Sequence, residues 1–199
     1  MTILAIDGEN FKGKIEDVFE ASGITRPAWH EYDYYGLVAK VLAGIPIDRR
    51  LFYFARIKEH TETRDKSRQL IGEQRLLKTS LERQGFEVVL SGRVRGQERV
   101  ISGKKAIVFR EKGVDVRIAV DMVSWTCDRL VERIVLGSSD SDLQPAIAEV
   151  RKRGGEVVYL GFEDQPNKGL TYTTNRSILI RNAEVLEHRG KGTLFSVAA

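Results

Sequence analysis

The sequence predicts an α/β fold: a mostly parallel central sheet flanked by helices. Short apolar runs of strand length alternate along the chain with longer stretches whose apolar residues recur at helical spacing. Such alternation implies crossover connections, which pack helices on both faces of a parallel sheet. Size agrees, because 199 residues with 42% hydrophobic and 30% charged side chains describe one soluble domain with a real core. The domain is placed at residues 1–189, with 190–199 as a tail.

The elements follow in order. Thr2–Asp7 (TILAID) is an apolar run ending in polar DGEN, the pattern of a buried strand reaching a functional turn. Trp29–Ala43 carries Leu37, Val38, Val41 and Leu42 at helical spacing and stops at Gly44. Leu51–Ile57 (LFYFARI) reads as a second buried strand. Ser67–Gln84 is an amphipathic helix with Leu70, Ile71, Leu76, Leu77 and Leu81, closed by Gly85. Phe86–Leu90 (FEVVL) is a third strand. A basic stretch follows, containing a short strand at Ala106–Phe109.

Val114–Cys127 then spaces Val114, Ile118, Ala119, Met122, Val123 and Cys127 close to a helical period. Arg133–Leu136 (RIVL) is a strand entering the loop GSSDSD, and Asp142–Arg153 a helix ending at Gly154-Gly155. Glu156–Leu160 is the last clear strand. Glu163–Thr174 reads as a loop and Ser177–Leu186 as a final helix.

Net charge is +4, mildly basic, but its distribution is uneven. Between Arg93 and Lys112 lie seven basic residues (Arg93, Arg95, Arg99, Lys104, Lys105, Arg110, Lys112) against two acids, Glu98 and Glu111. A polyanion feels such a stripe through phosphate neutralisation and counterion release. From charge alone, a solvated irregular loop reads equally well. A second basic group, Lys58, His60, Arg64, Lys66 and Arg68, follows LFYFARI and suits a phosphate-tracking flank.

Several classes drop out. No run of about 18 apolar residues exists, so no membrane span is expected. MTILAIDGEN lacks the basic n-region of a secretory signal. A single cysteine, Cys127, forms no internal disulfide, and without CxxC or a Cys/His cluster a zinc site has no support. A reducing, cytoplasmic setting is expected. Neither GxxxxGK[ST] nor GxGxxG occurs. His30, His60 and His188 are isolated, and Cys127 is assigned to the core. Trp29, Tyr32, Tyr34 and Tyr35 form an aromatic group that reads as packing before base-stacking.

Four acids stand out. In open α/β sheets functional groups gather at the carboxyl ends of strands. Asp7 ends the first strand, Asp140 and Asp142 follow RIVL, and Asp115 starts a helix, where a carboxylate favours the macrodipole. Taken singly, each is most simply a turn or cap residue, and Asp142 suits an N-cap. Together they imply a cation, since two carboxylates about 4 Å apart repel by roughly 4 kcal/mol at an effective dielectric of 20. Oxygen ligands without Cys or His point to Mg2+ or Mn2+. Asn10 and Ser139 are placed to orient a water or a phosphate. Asp121 lies six residues beyond Asp115, about 120° short of two full turns, and is treated as supporting or structural.

At these residues the sequence resembles the NYN-domain branch of PIN-like ribonucleases. The matching strings are IDGEN (Ile6–Asn10), KGVDVRIAVDMV (Lys112–Val123), LGSSDSDLQPAI (Leu136–Ile147) and RGGEVVYLG (Arg153–Gly161), in the family's order. The resemblance implies a PIN-like α/β/α sandwich and metal-dependent hydrolysis of RNA phosphodiesters. By position it makes Asp7, Asp115, Asp140 and Asp142 the acidic cluster, with Asn10 beside it. Two departures stand out: Ser139 replaces the family's usual glycine, and Leu143 an aromatic. Glu16–Trp29 and Gly92–Lys105 fall outside the match.

The expected function is therefore an Mg2+- or Mn2+-dependent endoribonuclease, with Arg93, Arg95, Arg99, Lys104, Lys105 and Ser139 contacting substrate. RNA is expected before DNA as partner, and a homodimer is allowed. The alternative is a non-catalytic RNA- or protein-binding regulator on the same fold.

Overall fold

The computed structural model describes residues 1–59, 64–101 and 104–190; of 95–101 and 104–111 only the backbone is described. Seven strands form one sheet: β1 (Thr2–Asp7), β2 (Arg49–Arg56), β3 (Glu87–Ile101), β4 (Lys104–Lys112), β5 (Arg133–Gly137), β6 (Glu156–Phe162) and β7 (Arg176–Ile180). Their order is β4-β3-β2-β1-β5-β6-β7. Six run parallel, and β4 joins the edge antiparallel to β3. The chain winds outward from β1 through β2 and β3, then returns to place β5 beside β1. The sheet therefore reverses its winding between β1 and β5, the point where α/β sheets open a crevice.

Each face of the sheet has its own core. On one, Phe11, Ile15, Val18 and Phe19 of α1 (Gly8–Ala21) meet Leu4, Ile6, Phe52 and Phe54. This layer also holds α2 (Tyr34–Val41), α3 (Arg64–Arg83) and α7 (Asn182–Glu187). On the other, α4 (Val114–Cys127), α5 (Gln144–Lys152) and α6 (Lys168–Thr173) cover Ile3, Ala5, Leu51, Tyr53 and Leu136. Alternate residues of β1 and β2 divide between the two cores, as the pleat requires. The result is an α/β/α sandwich, as expected. Among the described residues, no helix is long and apolar enough to cross a membrane.

Where the structure departs from the expected elements, a local bond explains it. α1 was not expected. Asp7 caps it, and Gly8 opens it because a Cβ there would lie 2.2 Å from the Phe54 ring. The helix expected over 29–43 is broken. Tyr32 takes an extended conformation, is fully buried, and donates its hydroxyl to Val185 O at 2.8 Å; Asp33 then caps α2 through Gly36 N. Tyr34 is likewise buried, edge-on to Tyr32 and Phe52, so neither ring is free to stack on a base.

The loop expected at 163–174 contains α6, capped by Asn167. The helix expected at 177–186 divides into β7, which covers the edge of β6, and α7. Cys127 is exposed rather than core, because Thr126 takes the buried position and donates to Met122 O at 2.8 Å. The basic stretch is not an irregular loop: β3 and β4 continue through it as a paired hairpin. Of the expected tail at 190–199, residues 191–199 lie outside the described residues.

Candidate metal centre and active site

Three loops reach the switch point from the carboxyl ends of the strands. The first is the β1–α1 junction. Asp7 is buried, and its Oδ1 accepts from Asn10 N at 3.2 Å, so it is both the strand's last residue and the cap of α1. Burial pushes its carboxyl up, the Asn10 N–H pulls it down, and the Asp140 and Glu9 carboxylates add to the rise; its pKa reaches about 6.

The second is the loop after β5, held by side chains rather than by its own backbone. Ser138 is buried; its hydroxyl lies 3.5 Å from Asp7 Oδ2 and accepts from Asp140 N at 3.1 Å. Asn10 Oδ1 accepts from both the N–H of Ser139 (2.9 Å) and its hydroxyl (2.7 Å). Asn167 Nδ2 donates to Ser139 O at 2.8 Å from the far side. Asp140 Oδ1 accepts from Asp142 N at 2.9 Å, so the cap of this turn is Asp140 and not Asp142 as expected. Serine at 139 fits where glycine was the family expectation, since positive φ among described non-glycine residues occurs only at Arg129 and Gln165. Its hydroxyl adds a bond that glycine lacks.

The third is the β4–α4 junction. Gly113 sits at φ 89°, a left-handed conformation that favours glycine, and turns the chain from the edge strand into α4. No side chain caps α4, so Asp115 in its first turn is free to face the crevice.

These loops bring Asp115, Asp140 and Asp142 together: one carboxylate oxygen from each lies within 4.8 Å of the others. Asp7 stands outside that triplet but shares its cleft, a space of about 450 Å³ lined by Asp7, Glu9, Asn10, Lys112, Asp115 and Asp140 among others. Asp115 and Asp140 are half-buried and Asp142 exposed. Among the described residues none of the three has an ion-pair partner. Two oxygens on one ion, bonded at about 2.1–2.5 Å, stand at most about 4–5 Å apart, so the triplet fits a single hard cation. The all-carboxylate donor set suits the same ions. The group could hold a divalent metal.

Asp121 belongs elsewhere. Its carboxylate takes the Tyr53 hydroxyl at 3.0 Å and Arg117 Nε at 2.9 Å. Of the expected substrate contacts, Ser139 precedes Asp140 but lines a separate small pocket with Asn10 and Tyr159 rather than the acidic cleft, and Arg93 stands at the foot of the hairpin. The side chains of Arg95, Arg99, Lys104 and Lys105 lie outside the described residues. In the second basic group, His60 lies outside the described residues, and Glu59 pairs with Arg64 and with Arg68. Sequence reasoning missed Glu9, Ser138 and Asn167, and it placed Lys112 in the basic stretch without joining it to the acids. An asparagine before the helix-forming string KGLTYT was a legible cap signal, but its bond to Ser139 was not.

Comparison with known proteins agrees with this layout. The family model described as NYN domain matches residues 2–181. A crystal structure of a protein of unknown function from Vibrio parahaemolyticus is similar in fold, at 18% identity and a TM-score of 0.58, with 90% of this chain and 91% of that chain covered. No curated protein matches the sequence.

Proposed function

Because the chain belongs to the NYN-domain family of PIN-like nucleases, we propose that it is an endoribonuclease dependent on Mg2+ or Mn2+. The observation that carries this reading is the Asp115, Asp140 and Asp142 triplet, with ligand oxygens within 4.8 Å and no described cationic partner. Carboxylates so close repel unless a cation or proton joins them.

Asp115, Asp140 and Asp142 would hold the metal, with Asp7 completing the site from the β1 side. A divalent ion bound there supplies Lewis-acid stabilisation of phosphate charge and a more acidic bound water. The remaining work falls to the chain's own groups. Asp7, whose carboxyl is pushed up to about 6 chiefly by burial, adds a fourth acid beside Asp140. Asn10 and Asn167 hold the Ser139 segment from two sides and so fix Asp140. Lys112 and Arg93, beside and beyond the cleft, would meet the phosphate backbone.

The test is cleavage of a labelled RNA by the full chain with Mn2+, with EDTA, and with Asp140→Asn in place of the parent. Asparagine keeps the cap bond to Asp142 N and removes the charge. Cleavage in Mn2+ alone, lost in the variant, is expected. Cleavage indifferent to both EDTA and the substitution would overturn the reading. RNA binding without turnover would favour a regulator on the same fold.

A further inference from the structure

From the register of the hairpin, we infer that residues 94–101 and 104–111 form a two-faced β-ribbon whose basic face guides single-stranded RNA to the acidic cleft. The inference rests on the nuclease reading for its substrate. β3 pairs with β2 as far as Arg93, opposite Arg56; beyond it the described rungs are to β4 alone. Residues on facing rungs share a face of the ribbon. Arg93 pairs with Lys112, Arg95 with Arg110, and Ile101 with Lys104, while Arg99 pairs with Ala106. Six of the seven basic residues thus fall on one face, with no acid among them. Glu98, Glu111 and Lys105 fall on the other, with Val94, Val100, Ile107 and Phe109.

A bulge decides which side of the sheet the basic face joins. Phe54 pairs with Leu90 but Arg56 pairs with Arg93, so β3 holds one extra residue between these rungs. Val89 and Val94 pack against the same core, the α4 side, although five residues apart. Without the bulge an odd spacing would put them on opposite sides. Arg93, and with it the whole basic face, is therefore turned to the side of α1 and α3. Gly92 makes the bulge feasible: its φ is 71°, and a Cβ there would lie 2.3 Å from Lys112 O. Lys112, at the root of the basic face, lines the acidic cleft. The stripe begins at the carboxylates and runs outward for eight residues of β3, about 27 Å at 3.3–3.4 Å per residue.

The two strands lie about 4.8 Å apart, so their charges form one narrow track. Such a track suits one phosphate backbone rather than the two of a duplex. The deep, narrow major groove of A-form RNA offers no entry to it either.

The test uses Asp140→Asn as the uncleaving parent and a fluorescent single-stranded RNA, with binding followed by anisotropy across a salt series. Combining Arg95→Gln, Arg99→Gln and Arg110→Gln should lower the slope of log affinity on log salt by about 2, near 0.7 per phosphate contact. Lys105→Gln, on the opposite face, should change affinity less than twofold, and duplex RNA should bind more weakly than single-stranded. An unchanged slope in the triple variant would overturn the inference. So would a Lys105→Gln loss equal to that of Arg99→Gln, or a triple variant that loses anionic vesicles but keeps RNA.

Circular dichroism and a urea midpoint matching the parent's are expected of the triple variant and report on its folding. Ribbon-dependent binding without cleavage would sink the nuclease reading alone. Cleavage and binding both indifferent to the ribbon would sink only this one.

Discussion

Asp115 and Asp121 lie six residues apart on α4, and their surroundings are opposite. Asp121 is a settled carboxylate: Tyr53 and Arg117 take its oxygens, and burial together with that carboxylate holds the Tyr53 hydroxyl protonated as a donor. Asp115 faces Asp140 and Asp142, and among the described residues it has no ion-pair partner, although Lys112 lines the same cleft. The lesson is one of accounting for charge. A buried acid that serves the fold comes with its partners built in, whereas acids that leave their charge uncompensated await something from solution.

The sharpest break of this comparison is kinetic. Asp115→Asn should reduce Mn2+-dependent RNA cleavage by about a hundredfold or more while leaving the urea midpoint unchanged or higher. Rate loss matched by equal loss of stability would make Asp115 structural, like Asp121.

Next in size is Asp7, an acid the fold buries at a cost. Its pKa rises from 3.8 to about 6, so the native state binds the proton more tightly than the unfolded chain. Stability from this group is complete below about pH 4 and is lost as pH rises through 6, about 3 kcal/mol in all. Asp7→Asn should therefore stabilise the metal-free protein by about 2–3 kcal/mol at pH 8 and hardly at all at pH 4, in urea titrations at both values. Mn2+ should raise the Tm of the parent more at pH 8 than at pH 5. Equal effects at the two pH values would refute the assignment.

Asp121→Ala should act in the reverse sense, costing about 1–3 kcal/mol because the Tyr53 hydroxyl is left buried without its acceptor. RNA cleavage per folded molecule should stay near the parent's. The smallest effect is at the loop: Ser139→Gly should cost about 1 kcal/mol or less, as the hydroxyl bond to Asn10 is lost while the backbone N–H bond remains. A larger cost would mean the hydroxyl fixes the loop's conformation.

Much of this was legible in the chain. Six of the strands and the cores of α3, α4 and α5 follow from apolar runs and spacing, because periodicity records which face an element buries. The apolar positions of α1 also keep helical spacing, but Gly8 and Gly13 weaken the pattern. β7 eluded the reading because its strand character comes from pairing with β6. Asp7, Asp140 and Asp142 could be placed at strand ends from sequence, and Asp115 at a helix start.

The sequence by itself determined the alternation of strands and helices, the family and the identity of the acids, since each is written in local pattern. Only the tertiary structure decided which acids meet: the β4–α4 junction and the loop after β5 converge to join Asp115 with Asp140 and Asp142, and strand order sets β1 beside β5 so that Asp7 shares their cleft. It also decided that Asp121 is paired and Asp115 is not. In the hairpin, one extra residue at a bulge chose the side on which six basic residues lie. Such choices depend on what lies across a strand or behind a helix, and no local pattern contains that.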